Sequence, residues 1–135
     1  MTASETLAQA TDSTRDLLYF YLSKLDKSLW YKTPEVNGEQ INSVAWELCH
    51  MVWGQDYLIL QACANRSSNI AWLEKFGIGK PTVNTTELPT IEEIKEALKM
   101  VHTQSLEVIR GLSDSDLDSP NHINLDFKKG NSKQQ

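Results

Sequence analysis

Hydrophobic positions in the first 26 residues recur with the spacing of an α-helix. Leucines and smaller apolar side chains return every three or four residues and form one stripe, made of Leu7, Ala10, Thr14, Leu17, Leu18, Tyr21, Leu22 and Leu25. Charged side chains such as Arg15 fall mostly on the other side. Thr2 and Glu5 have the spacing of a capping box, which satisfies free amides in a first turn. The pattern predicts a helix over about residues 3–26.

A second helix is predicted over about residues 43–64, after a loop broken by Pro34, Asn37 and Gly38. Asn42 is the expected N-cap, with Ile41 and Trp46 as a hydrophobic staple. This helix is apolar nearly all round. One side carries Val44, Ala45, Leu48, Val52 and Ile59, and the other carries Trp46, His50, Trp53 and Tyr57. A helix without a polar face belongs inside a bundle.

The third helix is predicted over about residues 91–110, with Thr90 and Glu93 as a second capping box and Gly111 as the C′ residue. The connection before it, 65–89, contains a predicted short helix over 70–76. Neighbouring antiparallel helices are usually joined by only about 2–8 residues. This longer connection indicates a crossover, so that the second and third helices run parallel.

No fourth long helix follows. Residues 112–135 contain a turn rich in Ser and Asp and a short alternating stretch with Ile123, Leu125 and Phe127. Three long helices leave one groove of a four-helix bundle open. Because Ser132 has the character of a helix cap, we expect a truncated chain, with a groove filled by a partner chain as the alternative.

Composition narrows the classes of function. The chain has 135 residues, about one domain, and a net charge of −5 without a basic block, which argues against nucleic-acid binding. It lacks the sequence features of a signal peptide and any apolar run near the roughly 20 residues of a membrane span, so a cytoplasmic protein without membrane contact is expected.

Cys49 and Cys63 lie about 21 Å apart along one helix, beyond disulfide reach. We expect two buried thiols, or alternatively a reactive thiol at Cys49.

His50 is the strongest candidate for chemistry, because it lies mid-helix among aromatic residues. It is either a buried, hydrogen-bonded histidine or an inward-pointing ligand of Zn²⁺, Ni²⁺ or Fe²⁺. A catalytic metal normally takes three protein ligands, and His102 and His122 are further candidates. Glu47 and His50 match half of a di-iron motif, although Glu47 is better read as a surface or supporting residue. The neighbouring aromatic residues either pack a helix interface or wall a pocket beside His50: Trp46, Trp53 and Tyr57.

The segment INSVAWELCHMV, residues 41–52, resembles the second helix of the DinB-like superfamily. Pro34 before it, the long connection after it and the GLSDSDL segment at 111–117 also fit, and the resemblance covers about residues 5–127. It implies an all-α, up-down-down-up four-helix bundle, often a homodimer. It also implies one divalent metal held by three histidines. His50 matches the ligand on the second helix, whereas the other two belong to a His-x₃-His pair on a fourth helix that this chain lacks.

Two functions follow as expectations. The first is a metal-dependent enzyme, of the hydrolase or thiol-dependent transferase type, with its metal held in part by His50. Its substrate pocket would be lined by Trp46, Trp53 and Tyr57, and would take a small molecule or a low-molecular-weight thiol cofactor. The alternative is a metal-free scaffold for dimerisation or for binding a small ligand.

Overall fold

The computed structural model describes residues 1–80 and 87–123. Within these ranges, three long helices build the fold: α1 (Ala3–Lys24), α2 (Val44–Gln55) and α3 (Ile91–Arg110). The all-α class predicted from the sequence is confirmed. The expectations for Leu125, Phe127 and Ser132 fall outside the described residues.

Short elements join the helices. After α1 come a 3₁₀ turn, Lys27–Leu29, and an antiparallel pair of two-residue strands, β1 (Glu35–Val36) and β2 (Glu39–Gln40). A second 3₁₀ turn, Leu73–Phe76, replaces the longer helix predicted over 70–76. A single turn, α4 (Asp114–Leu117), follows α3.

The second helix changes its hydrogen-bond register before it ends. Beyond Gln55 the backbone continues as a π-helix, Asp56–Gln61, and then as a last α-turn, Ala62–Ala64. Asn65 terminates it in the left-handed conformation, with φ 52°. The predicted extent of the helix, 43–64, is confirmed, whereas the π segment was not predicted.

The N-cap residues agree with the sequence at α1 and α3, but α3 has only the Thr90 half of the predicted capping box, and Gly111 is its right-handed C-cap rather than the C′ residue. Thr2 and Glu5 form the expected capping box at α1, and the Thr90 side chain accepts a hydrogen bond from the amide of Glu93 at α3. At α2 the prediction is wrong by one residue, because Ser43 is the N-cap and accepts from the amide of Trp46. Ile41 is exposed, so the predicted staple does not form.

The contacts along α2 and α3 show that these two helices are parallel. At their first turns, Ala45 donates its amide hydrogen bond to the carbonyl of Trp30, whose ring lies under Lys95. Further along both helices, Gln55 contacts His102. The starts of the two helices therefore meet, as the length of the connection predicted.

Helix α1 runs opposite to α3. Its first half packs at the end of α3, where Ala8 contacts Leu106 and Ile109. Its middle reaches back toward the first half of α3, where Arg15 donates to the carbonyl of Leu98. The three long helices therefore run up, down and down, as the family resemblance implies.

The core lies between α2, α3 and the two 3₁₀ turns, and α1 is only partly attached to it. The largest fully buried side chains are Trp30, Phe76, Leu48, Leu60, Ile94, Leu98, Val52 and Val101. On α1 the predicted stripe is split: Leu18, Leu22 and Leu25 pack against the core, while Leu7, Leu17 and Tyr21 are exposed. In the described part of the chain, no helix combines the length and apolarity that crossing a membrane requires.

Candidate functional site

Four rings of α2 and its π extension form one stack, which we call the aromatic column: Trp46, His50, Trp53 and Tyr57. The half-buried His50 ring lies between two indoles, with centroids 5.1 Å from Trp46 and 5.6 Å from Trp53. Trp53 and Tyr57 continue the stack at 5.0 Å. Spacings of three and four residues bring side chains to one helical face. The structure thus brings all four predicted site residues together.

His50 is held in one orientation by a hydrogen bond that it donates to a neighbouring turn. Its Nδ1 lies 2.6 Å from the carbonyl oxygen of Phe76, at the end of the turn Leu73–Phe76. A carbonyl only accepts, so Nδ1 donates, and in the neutral ring Nε2 then carries the lone pair. Phe76 is fully buried and its ring packs edge-on against Trp46. The turn that fixes the imidazole is itself anchored in the core.

Phe76 was missed as a site residue by the sequence analysis. Its contribution comes through its backbone carbonyl, which carries no sequence signature. Gly77 follows it, and a Cβ atom at this glycine would lie 3.2 Å from Cε2 and Nε1 of Trp53. The glycine therefore lets this backbone approach the aromatic column closely.

His102 lies in a different place, in a partly buried polar network between all three helices. Its Nε2 is 2.9 Å from Oδ1 of Asp12, and its Nδ1 is 3.1 Å from Nε2 of Gln55. Oε1 of Gln55 accepts from Arg15 at 2.6 Å, so the amide nitrogen of Gln55 donates to Nδ1. His102 then donates from Nε2 to Asp12. Both ring nitrogens are used, and this histidine does not join His50.

Arg15 corrects the predicted polarity of α1. The apolar spacing of α1 predicts that Arg15 lies on the charged outer side, but only 6% of its surface is exposed. One guanidinium nitrogen donates to the carbonyl of Leu98 at 2.8 Å, and the other donates to Gln55. Arg15 links α1 to α2 and α3 through bonds that a hydrophobic stripe cannot reveal.

His122 also lies apart from the aromatic column. Its side chain is exposed, and its backbone amide donates to the carbonyl of Ala62 at the end of the second helix. Glu47 is exposed, and its carboxylate accepts a hydrogen bond from the side-chain amide of Asn42. Within residues 1–80 and 87–123, no group of three or more His, Cys, Asp or Glu side chains is placed to hold a metal ion.

The two thiols differ in exposure. Cys49 is fully buried, and burial raises the pKa of its thiol to about 12, which opposes the alternative of a reactive thiolate beside His50. Cys63 was expected to be buried but is exposed, and partial burial of the sulfur still raises the pKa of its thiol. Both cysteines are free, as predicted.

Asp56 is a second buried group that the sequence analysis missed. It opens the π segment and is 4% exposed. Its carboxylate accepts from the amide of Ser68 at 3.2 Å and from the Ser68 hydroxyl at 2.8 Å. The sequence feature that could have indicated this buried carboxylate is an acidic residue in a mostly apolar stretch of helix. It ties the chain that follows the second helix to the π segment.

Fold and site together define a helical-bundle protein that holds one oriented histidine in a stack of aromatic rings. A family model described as the DinB superfamily matches residues 10–132. The chain therefore belongs to the DinB superfamily, as the resemblance indicated. No curated protein and no solved structure matches it significantly.

Proposed function

We propose that this chain functions as a metal-dependent enzyme in which Nε2 of His50 is one ligand of a divalent metal. The observation that carries the proposal is the hydrogen bond from Nδ1 to the carbonyl of Phe76. Metal-ligating histidines almost always donate their second ring N–H to a carbonyl, carboxylate or water, which fixes the tautomer and ring orientation. Stacking between Trp46 and Trp53 limits rotation of the same ring.

The described residues fit a metal only in part. They supply one oriented imidazole, whereas a catalytic site normally takes three protein ligands. The remaining ligands would come from other residues of the protein or from a partner chain. A bound Zn²⁺, Ni²⁺ or Fe²⁺ would supply Lewis-acid activation of water or a thiol, as hydrolase or thiol-dependent transferase chemistry requires. Trp53 and Tyr57 would wall a pocket for a small molecule.

The test separates the ligand atom from the structural role of His50. An asparagine at this position keeps an amide N–H near the place of Nδ1 but has no counterpart of Nε2. We expect His50→Asn to lose the metal that the wild-type protein retains after incubation with Zn²⁺ or Ni²⁺, measured by elemental analysis per chain. His122→Asn is the matched control, because it removes an exposed imidazole, and it should keep the metal. Equal metal content in both variants contradicts the proposal.

A metal-free scaffold for dimerisation or small-ligand binding is the second candidate. The observation that favours it is an apolar groove of about 600 Å³ between α1 and α2, lined in part by Leu17, Tyr21 and Met51. Monomers rarely leave large contiguous apolar patches open. On this alternative the wild-type protein takes up no metal, and His50→Asn changes only its stability.

A further inference from the structure

A second cleft lies between the C-terminal end of α1 and the first half of α3. Its volume is about 530 Å³, within the range of small-molecule sites. Its walls include Leu22 of α1, Leu25 directly after α1, and Leu98 of α3, with Trp30 at its base. None of the four residues of the aromatic column lines it. The cleft is therefore a separate place from the His50 site.

The charge of this cleft is opposite to that of the whole protein. Three lysines line it, Lys27, Lys95 and Lys99, and no acidic side chain is among the described residues that do so. The chain as a whole carries a net charge of −5. Lysine stems cover apolar surface while their ammonium groups stay at the solvent boundary. Apolar walls that also carry lysine ammonium groups are complementary to a molecule with an apolar body and an anionic head.

Trp30 adds a second feature to the base of the cleft. The Nζ atom of Lys95 lies 5.9 Å from the centroid of its ring, which places the cation over the indole. The indole is 1% exposed, and its N–H has no hydrogen-bond partner among the described residues. A buried donor without a partner is uncommon in folded proteins. The Trp30 side chain therefore holds a buried polar group that no described residue satisfies.

We propose that this cleft binds a small amphipathic anion, with its apolar chain among the leucines and its carboxylate at Lys95 and Lys99. This function is independent of the metal proposed at His50. The probe is decanoate, compared with 1-decanol and decyltrimethylammonium in isothermal titration calorimetry. Because hydrogen bonds to charged groups contribute more than neutral ones, we expect decanoate to bind about tenfold more tightly than decanol. The cationic probe should not bind at this site.

Three sets of variants locate the site. Lys95→Met with Lys99→Met keeps the apolar stems and removes the charges, and should weaken decanoate about tenfold while leaving decanol unchanged. Lys75→Met with Lys80→Met removes two exposed lysines outside the cleft and should change neither affinity. Ser23→Trp places a bulky ring at an exposed lining position and should abolish binding of both probes without unfolding α1.

Two outcomes would overturn the proposal. One is equal affinity for decanoate and decanol, which would show that the lysines recognise no anion. The other is loss of decanoate binding in Leu17→Gln, in the groove between α1 and α2, with full binding retained in Ser23→Trp. Circular dichroism of each variant shows that a lost affinity does not reflect a lost fold.

Discussion

At the scale of single residues, Arg15 makes the contacts that attach α1 to the other two helices. Arg15→Met keeps most of the apolar stem but leaves the carbonyl of Leu98 and the side chain of Gln55 without their donor. An unsatisfied buried group costs about 1–3 kcal/mol, and this applies to the Leu98 carbonyl, whereas the half-buried Gln55 lines an open groove. We therefore expect the free energy of unfolding to fall by about 1–3 kcal/mol. Urea denaturation measures this. Arg66→Met, at an exposed arginine, is the control and should stay within about 0.5 kcal/mol of wild type.

The two thiols should differ in reactivity. With a thiol-specific chromogenic reagent at pH 8, we expect the exposed Cys63 to react in the native protein and Cys49 to react only after unfolding. Cys63→Ser should remove the native reaction. Two thiols reacting without denaturant would contradict the burial of Cys49.

The raised pKa of Cys49 also predicts a pH dependence of stability. Folding raises this pKa from about 9 to about 12, so the folded protein holds the proton more tightly than the unfolded chain. The associated stability is complete below pH 9 and is lost as pH rises toward 12, by at most about 1.4 kcal/mol per pH unit. Between pH 9 and 12 the free energy of unfolding of wild type should therefore fall relative to that of Cys49→Ala, which has no thiol to titrate. A constant difference in urea titrations would contradict it.

At the scale of elements, local sequence predicts the extent of a helix better than its exact N-cap residue or its pattern of backbone hydrogen bonds. The extents of α3 and of the whole second helix follow from apolar spacing and caps, which are local properties. Asn42 and Ser43 are adjacent and equally good N-caps, so neighbouring packing decides between them. The π segment keeps the same apolar composition as an α-helix, and periodicity cannot distinguish the two.

The turn that positions His50 can be tested through Gly77. A methyl group there would meet the Trp53 indole at 3.2 Å and push it along the aromatic column. We expect Gly77→Ala to destabilise the protein by about 1–3 kcal/mol, as overpacking does, and to change near-ultraviolet circular dichroism from the stacked rings. Gly54→Ala is a control of opposite sign, because nothing lies within 4 Å of its added Cβ in α2. It should stabilise the helix by about 0.5–1 kcal/mol. Equal effects at both glycines would contradict the close approach.

At the scale of the whole molecule, loop length and helix polarity predict the arrangement of α1, α2 and α3, since a long connection can return the chain to the same end. The aromatic column follows from spacing along one helix, so its four residues were predictable. The partners of His50 and His102 were not, because Phe76, Asp12 and Gln55 come from distant parts of the chain. Such contacts depend on tertiary packing, which one sequence does not encode as a periodic pattern.

The groove between α1 and α2 carries the last prediction, that the protein is a homodimer. Leu17, Tyr21 and Met51 line this groove and are exposed, Tyr21 to 63%. Burying apolar area contributes about 25 cal/mol per Å², so pairing two such grooves favours association. We expect sedimentation velocity to show a dimer, and Leu17→Gln with Tyr21→Gln to shift it to monomer. Ile78→Gln removes an apolar side chain outside the groove that is even more exposed, and it should leave the dimer intact. A wild-type monomer at all concentrations would mean that the groove mediates no self-association.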